Sequence, residues 1–152
     1  RPTGPGIWDV GADEFFGDCY SNFSYKRSLT IDYNRVGLDN NPGTLSNFPA
    51  LVSITMGGSE HWLKWSGAHA SGHVEKEQGW DIVFKSSDGH ILDHEIEEYD
   101  GTNGVLVAWV RVPSVSKSAS TVIYMYYGNI CILESQENVP GVWDADFKGV
   151  WH

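Results

Sequence analysis

The chain has 152 residues, which is the usual size of a single domain. Ten Lys and Arg against twenty Asp and Glu give a net charge of −10, which argues against nucleic acid and anionic membranes as partners. Twenty aromatic residues, seven of them Trp, are ample for a packed core and exclude intrinsic disorder. The longest apolar run, Val105 to Val110, is far shorter than the ~20 residues of a transmembrane helix, so we expect no transmembrane segment.

Residues 1–24 show no clear alternation of apolar and polar side chains, and we predict that they form an irregular N-terminal arm. From residue 25 onwards most of the chain alternates with a period of two, which is typical of half-buried antiparallel strands. The predicted strands are 25–33, 48–55, 80–85, 92–99, 105–112 and 121–127. Turn-forming residues separate them, including a predicted turn at 112–118. We therefore predict an all-β fold, a jelly-roll-like antiparallel β-sandwich in which residues 25–152 form one domain.

Two features depart from simple alternation. The strands at 105–112 and 121–127 are apolar on both faces, which favours central positions, so we expect Trp109, and also Trp80 of the 80–85 strand, in the core. Residues 57–79 form a long Gly-, Ser- and His-rich loop that contains Trp62 and Trp65. Loops of this length are often functional or ordered by a partner.

Six ordered blocks carry a family resemblance: YKRSLTIDY, LSNFPALVSIT, DIVFKSSDGHILDHEIEEYD, GVLVAWVRVPSVS, TVIYMYYGN and GVWDADFKGVWH. From Tyr25 to His152 the chain resembles a bacterial and archaeal family of domains of unknown function. That family occurs in secreted and surface proteins, commonly just before a laminin-G or concanavalin-A-like lectin domain. The resemblance implies a β-rich extracellular module and carries over no catalytic or binding residues. Two departures are that the chain stops at GVWH, where relatives usually continue, and that the 57–79 loop is longer than usual.

The two cysteines, Cys19 and Cys131, lie 112 positions apart and outside any CxxC pair, which gives little support to a zinc or redox site. We predict a disulfide between them, with two buried free thiols as the alternative. A disulfide agrees with an extracellular or cell-surface location. The first residues, RPTGPG, lack a hydrophobic signal segment, so we expect a mature end after processing or a boundary within a longer chain.

Calcium is the one cofactor that the sequence suggests. Asp39 and Asn40 precede a Pro-Gly turn, and Asp144 and Asp146 lie near the C-terminus, so both clusters offer the oxygen ligands that calcium prefers. Neither has the EF-hand spacing, and Asp and Asn also occur in turns for local reasons. We expect no other cofactor.

Two surface features suggest carbohydrate. Trp62 and Trp65 are the candidate ligand-binding residues, because sugars pack their C–H faces on exposed aromatic rings; a local hydrophobic cluster is the equal alternative. Asn22 begins the sequon Asn22-Phe23-Ser24, a candidate glycosylation site.

An enzyme is the least favoured hypothesis. Glu95 and Glu97 share one face of a predicted strand, at a spacing that glycoside hydrolysis permits. A solvated acidic face produces the same pattern, and the chain has no GxSxG motif. We therefore expect no enzymatic activity.

The leading hypothesis is a non-catalytic extracellular module for surface assembly or adhesion through protein–protein contacts. Its partners would be copies of itself or other surface proteins, with the N-terminal arm joining subunits into a filament by strand addition. A carbohydrate-binding module using Trp62 and Trp65 is the alternative, and a glycoside-hydrolase-like enzyme is the third.

Overall fold

The computed structural model describes residues 21–37, 43–57 and 60–143, and the two antiparallel sheets of this part confirm the predicted all-β sandwich. Sheet A has the order β1 (Tyr25–Ile31), β6 (Thr121–Tyr127), β3 (Val83–Lys85). Sheet B has the order β2 (Thr44–Thr55), β5 (Val105–Ser116), β4 (His94–Asp100). A 3-10 helix at Tyr33–Arg35 follows β1, and a four-residue helix, α1, spans Val139–Val142. None of the helices described is long and apolar enough to cross a membrane.

The core lies between the two central strands, where the alternation of the sequence turns every second side chain inward. Leu106, Ala108 and Val110 of β5 are fully buried, and Ile123 and Met125 of β6 face them from sheet A. Further buried side chains come from Leu63, Val74, Ile82, Phe84, Leu92 and Tyr127. Because Leu63 and Val74 belong to the 57–79 segment, the described part of this loop is packed against the sandwich.

Strand β5 is longer than predicted: it continues through Pro113 to Ser116, where the sequence predicts a turn. In the register of β2 with β5, Ser46 pairs with Ser114 and Phe48 with Val112, which places Asn47 opposite the proline. Asn47 has a φ of 51°, so β2 leaves the regular strand conformation at the point where Pro113 has no N–H to donate. This local adjustment allows both strands to extend past the proline.

Trp109 lies on the outer face of sheet B, so its predicted place in the core is wrong. From Leu106 to Val112 the buried positions of β5 are even-numbered, so the odd-numbered Trp109 points the other way. The Trp109 indole packs edge-on against Trp143 at 5.2 Å between centroids and donates to Glu97 Oε2 at 3.0 Å. Trp80 is half-buried.

One side of the sandwich is closed by the connection between β3 and β4. The Leu92 N–H donates to the Phe84 carbonyl at 2.8 Å, and the Ser86 N–H donates to the His90 carbonyl at 2.9 Å. Gly89 adopts a φ of 90°, which a residue with a side chain would adopt only with strain. These backbone bonds hold the β3 edge of sheet A next to the β4 edge of sheet B.

The carboxylate of Asp81 connects the long loop to the end of β6. Asp81 is fully buried, and its oxygens accept from the backbone N–H groups of Glu75 and Lys76, at 2.8 and 2.9 Å. They also accept from Gly128 at 2.9 Å and from Asn129 at 3.2 Å. A buried anion is tolerated only when its lone pairs are satisfied, and four backbone donors satisfy these.

Replacement of Asp81 by Ala should therefore lower the free energy of unfolding substantially. Four buried N–H groups would lose their acceptor, and we expect a loss of about 3 kcal/mol or more. Asp88→Ala is the matched control, because Asp88 is exposed and its loss should leave the free energy of unfolding nearly unchanged. Urea denaturation measures both variants, and equal effects would show that Asp81 does not organise this end of the sandwich.

His94 is a titratable residue inside the core. It is 1% exposed, its ring lies 5.3 Å from that of Phe84, and its Nδ1 is 3.2 Å from the Leu92 carbonyl. Its Nε2 is buried without a hydrogen-bond partner. Burial lowers the pKa of His94 below its usual value of 6.5, so the ring is neutral in the folded protein near pH 7.

This depressed pKa predicts that acid destabilises the fold. The unfolded chain binds a proton at His94 near pH 6.5 and the folded chain binds it only at lower pH, so the free energy of unfolding should fall as the pH drops from 7 to 5. His94→Leu should flatten this dependence. Chemical denaturation at several pH values gives the slopes, and an unchanged slope in His94→Leu would contradict the assignment.

Candidate functional site

Strands β1 and β2 lie at sheet edges on the same side of the sandwich. β1 pairs with β6 and β2 pairs with β5, and among the described residues no strand pairs with the other edge of either. An unpaired edge presents N–H and C=O groups that can accept another strand. This side contrasts with the β3–β4 side, which the chain itself closes.

A groove runs between these two edges. It consists of three overlapping cavities of about 710, 390 and 300 Å³. The first and third share Thr30, Ile31, Ala50 and Leu51, and the second and third share Ser28, Leu29 and Ile54, so the cavities form one continuous feature. We call it the β1–β2 groove; it runs from Trp62 at one end to Val36 at the other.

The floor of the groove is the incompletely covered side of the hydrophobic core. Leu29 and Ile31 of β1 and Ala50, Val52 and Ile54 of β2 pack against buried residues but remain only partly buried themselves. At the rim, Phe48 is 42% exposed and Leu51 is 53% exposed. Apolar side chains from both sheets therefore meet solvent along one line, which is a property of docking surfaces.

The charged residues that line the groove are mainly basic, in contrast to the acidic chain as a whole. They are Lys26 and Arg27 at the Trp62 end, with Arg35 and Asp32 at the other end. The Asp32 carboxylate accepts from Asn34, and this backbone hydrogen bond is the main cause of its lowered pKa. The groove is thus apolar along its length, with net positive charge at the Trp62 end and one charge of each sign at the other end.

Trp62 forms one end of the groove, but its ring is already in contact with other groups. The Arg27 guanidinium lies 3.8 Å above the Trp62 ring, and the Tyr127 ring is 5.6 Å away. Arg27 Nε also donates to the Tyr127 hydroxyl at 3.2 Å. Burial raises the pKa of Tyr127, so this hydroxyl stays protonated at neutral pH.

Trp65 packs within the long loop. Its backbone N–H donates to the Gly101 carbonyl at 2.9 Å, and its backbone forms an isolated parallel β-bridge with Val74. Side chains at positions 67 and 101 would overlap Trp65, so glycine is required at both positions for this packing. Both candidate tryptophans are half-buried. Carbohydrate binding by this pair stays a prediction.

Several other predicted site residues lie outside the described residues. These are Cys19, Asp39, Asn40, Asp144 and Asp146. Calcium binding and the Cys19–Cys131 disulfide therefore stay predictions. Within the described residues, Cys131 is not a free thiol and no group of three or more His, Cys, Asp or Glu is arranged to hold a metal ion. Asn22 is exposed, just before β1.

The two glutamates of the hydrolase hypothesis lie with tryptophans on the outer face of sheet B. Glu95 Oε2 accepts from Trp143 Nε1 at 2.7 Å, and Glu97 Oε2 accepts from Trp109 Nε1 at 3.0 Å. Between Ile96 and Glu98 the register of β4 with β5 shifts by one residue, which is a β-bulge at Glu97. Each of the two carboxylates thus accepts a hydrogen bond from an indole N–H, and the absence of enzymatic activity stays a prediction.

The sequence profile of one family, described as "Domain of unknown function (DUF2341)", matches residues 78–149. The match supports the predicted resemblance to a domain family of unknown function. It includes strands β3 to β6 and excludes β1 and β2, the two strands that border the groove. Neither the curated proteins nor the solved structures contain a match to the chain.

If the groove is open in the free protein, backbone amides along it should exchange quickly with solvent. We expect peptides from β1 and β2 to exchange at least about tenfold faster than peptides from β5 and β6 in the dilute monomer. Hydrogen–deuterium exchange with mass spectrometry measures this difference. Equal protection of all four strands at high dilution would show that another part of the same chain covers the groove.

Proposed function

We propose that this chain is a non-catalytic extracellular module that joins protein chains by strand addition at the β1–β2 groove. The observation that carries the proposal is the groove itself: two neighbouring strand edges above a floor of partly buried apolar side chains. In strand addition, backbone hydrogen bonds provide affinity and pockets for alternate side chains provide specificity. Both elements are available here, since strand edges and apolar pockets lie next to each other.

The other two sheet edges are poorly suited to strand addition. β3 has only three residues, and its end is bound to the connection that leads to β4. β4 carries four acidic residues among seven, Glu95, Glu97, Glu98 and Asp100. Short edges and edge charges are the usual means by which proteins prevent strand pairing. β1 carries two charged residues among seven, Lys26 and Arg27, and β2 carries none among twelve, so the edges of the β1–β2 groove are less charged than β4 and longer than β3.

Assembly at the cell surface agrees with the resemblance to domains of secreted and surface proteins and with the predicted disulfide. A groove on one copy that takes a segment from another is a heterologous contact, because the two partners use different surfaces. Such contacts propagate into filaments unless the rotation between copies closes a ring. We therefore propose a filament or a surface array as the assembled form.

The test compares substitutions at the groove with matched substitutions elsewhere. Leu51→Glu places a charge at the groove rim and should raise the dissociation constant of self-association at least about tenfold. Leu133→Glu makes the same change at a leucine that is 64% exposed and does not line the groove, so it should leave association unchanged. Sedimentation velocity across a concentration series measures both.

Thermal melting serves as the control for folding, since both leucines are exposed and neither variant should change the melting temperature by more than a few degrees. A monomeric wild type at high concentration, or equal loss of association in the two variants, would refute the proposal.

A further inference from the structure

We infer that the segment bound in the β1–β2 groove is the N-terminal arm of a second copy, with residues 7–13 as the inserted strand. This inference rests on the proposed function and names the partner for the same groove. It follows from the direction in which the chain leaves β1, from the residue pattern of the arm and from the charges of the two surfaces.

The chain approaches β1 from the side of sheet A that faces away from the groove. The Ser24 N–H donates to the Gly128 carbonyl at 3.1 Å, which holds the chain next to the end of β6. The Phe23 ring packs edge-on against Tyr126 at 6.1 Å, and Lys85 Nζ lies 5.5 Å from the Phe23 ring centroid. Phe23 therefore lies over β6 and β3, whereas the groove lies beyond the opposite edge of β1.

This geometry favours a donor from another molecule. To fill the groove of its own sandwich, the arm would have to turn back at Phe23 and cross the face or the end of sheet A. With Cys19 tied to Cys131 by the predicted disulfide, eighteen residues precede Cys19, and at ~3.3 Å per residue they reach about 60 Å when extended. That length is more than enough to enter a neighbouring molecule.

The arm as a whole shows no clear alternation, but the six residues from Trp8 to Asp13 have the pattern that the groove requires. Trp8, Val10 and Ala12 alternate with Asp9, Gly11 and Asp13, so an extended backbone places the apolar side chains on one face. The apolar face, with Trp8, Val10 and Ala12, packs on the groove floor, and the other face, with Asp9, Asp13 and also Ile7, faces solvent. The proposed inserted strand, residues 7–13, has seven residues, the same number as β1.

The charges of the arm and the groove are opposite. Residues 1–20 contain one basic residue, Arg1, and four acidic ones, Asp9, Asp13, Glu14 and Asp18. The groove lining contains three basic residues, Lys26, Arg27 and Arg35, and one acidic residue. The basic lining stands out in a chain that has twice as many acidic as basic residues. Complementary charge favours encounter with the correct segment and fixes its orientation.

A photo-crosslinking experiment on the full chain identifies the occupant. Benzoylphenylalanine replaces Phe48, which lines the groove and is 42% exposed, and the protein is irradiated as an equal mixture of unlabelled and ¹⁵N-labelled chains. We expect crosslinks to residues 7–13 in peptide pairs that combine the two isotopes. Benzoylphenylalanine in place of Ile91, which is 64% exposed and does not line the groove, is the control and should give no crosslink to residues 7–13.

The remaining outcomes separate this inference from the proposed function. Crosslinks to residues 7–13 within one isotope only would show that the arm fills its own groove, and crosslinks to another segment, such as 143–151, would name a different donor. Either result overturns the inference. If association still depended on Leu51 while another segment of a second copy was crosslinked, the proposed function would be retained, with that segment as the donor strand in place of residues 7–13. No crosslink and no association would overturn both.

A substitution in the arm provides an independent readout. Val10→Asp should weaken self-association at least about tenfold and leave the melting temperature of the monomer unchanged, because a charge would face the groove floor. Thr3→Asp, which adds the same charge outside residues 7–13, is the matched control and should keep at least about half of the wild-type affinity. Unchanged association in Val10→Asp would overturn the inference.

Discussion

The organisation of this molecule depends on how the edges of two three-stranded sheets are satisfied. A strand edge carries backbone donors and acceptors that need partners, and a sheet face carries apolar side chains that need cover. On the β3–β4 side, the bonds between Phe84 and Leu92 and between Ser86 and His90 meet these needs within the chain. On the β1–β2 side, the described residues provide neither a strand partner for the two edges nor full cover for the apolar side chains. The groove is the direct consequence of this asymmetry.

The asymmetry also divides the sandwich into a well-buried half and an exposed half. β5 and β6 bury alternate side chains completely, and Asp81 fixes the end of β6 to the long loop through four backbone hydrogen bonds. Most residues of β1, by contrast, are exposed, although it is paired with β6 along its whole length. The stable half can support the fold while the exposed half stays available to a partner.

The sequence predicts the fold class well because period-two alternation is a local property. It locates all six strands, and errors arise where a second strand decides the outcome. β5 is apolar on both faces, so alternation alone cannot assign Trp109 to the outer face; the pairing with β2 and β4 does that. The turn predicted at 112–118 is replaced by strand for the same reason, since β2 continues alongside Pro113.

The groove could be recognised from the sequence only in part. Leu51 is an apolar residue on the otherwise polar face of FPALVSIT, which is a weak signal for a surface contact. The position of β1 next to β2 results from the order of strands in the two sheets, which alternation does not specify. The role of Asp81 is even harder to predict from the sequence, because a single Asp before IVF does not show that four backbone N–H groups will donate to its carboxylate.

Isotope-filtered NMR on a mixture of ¹³C,¹⁵N-labelled and unlabelled chains tests the central claim most directly. The methyl groups of Leu29, Ile31, Val52 and Ile54 line the groove, and they report which protons lie above them. We predict that, under conditions of self-association, these methyls show nuclear Overhauser effects to protons of the unlabelled chain, and that the buried methyls of Leu106 and Val110 do not. Contacts from the groove methyls to the labelled chain alone would contradict the account.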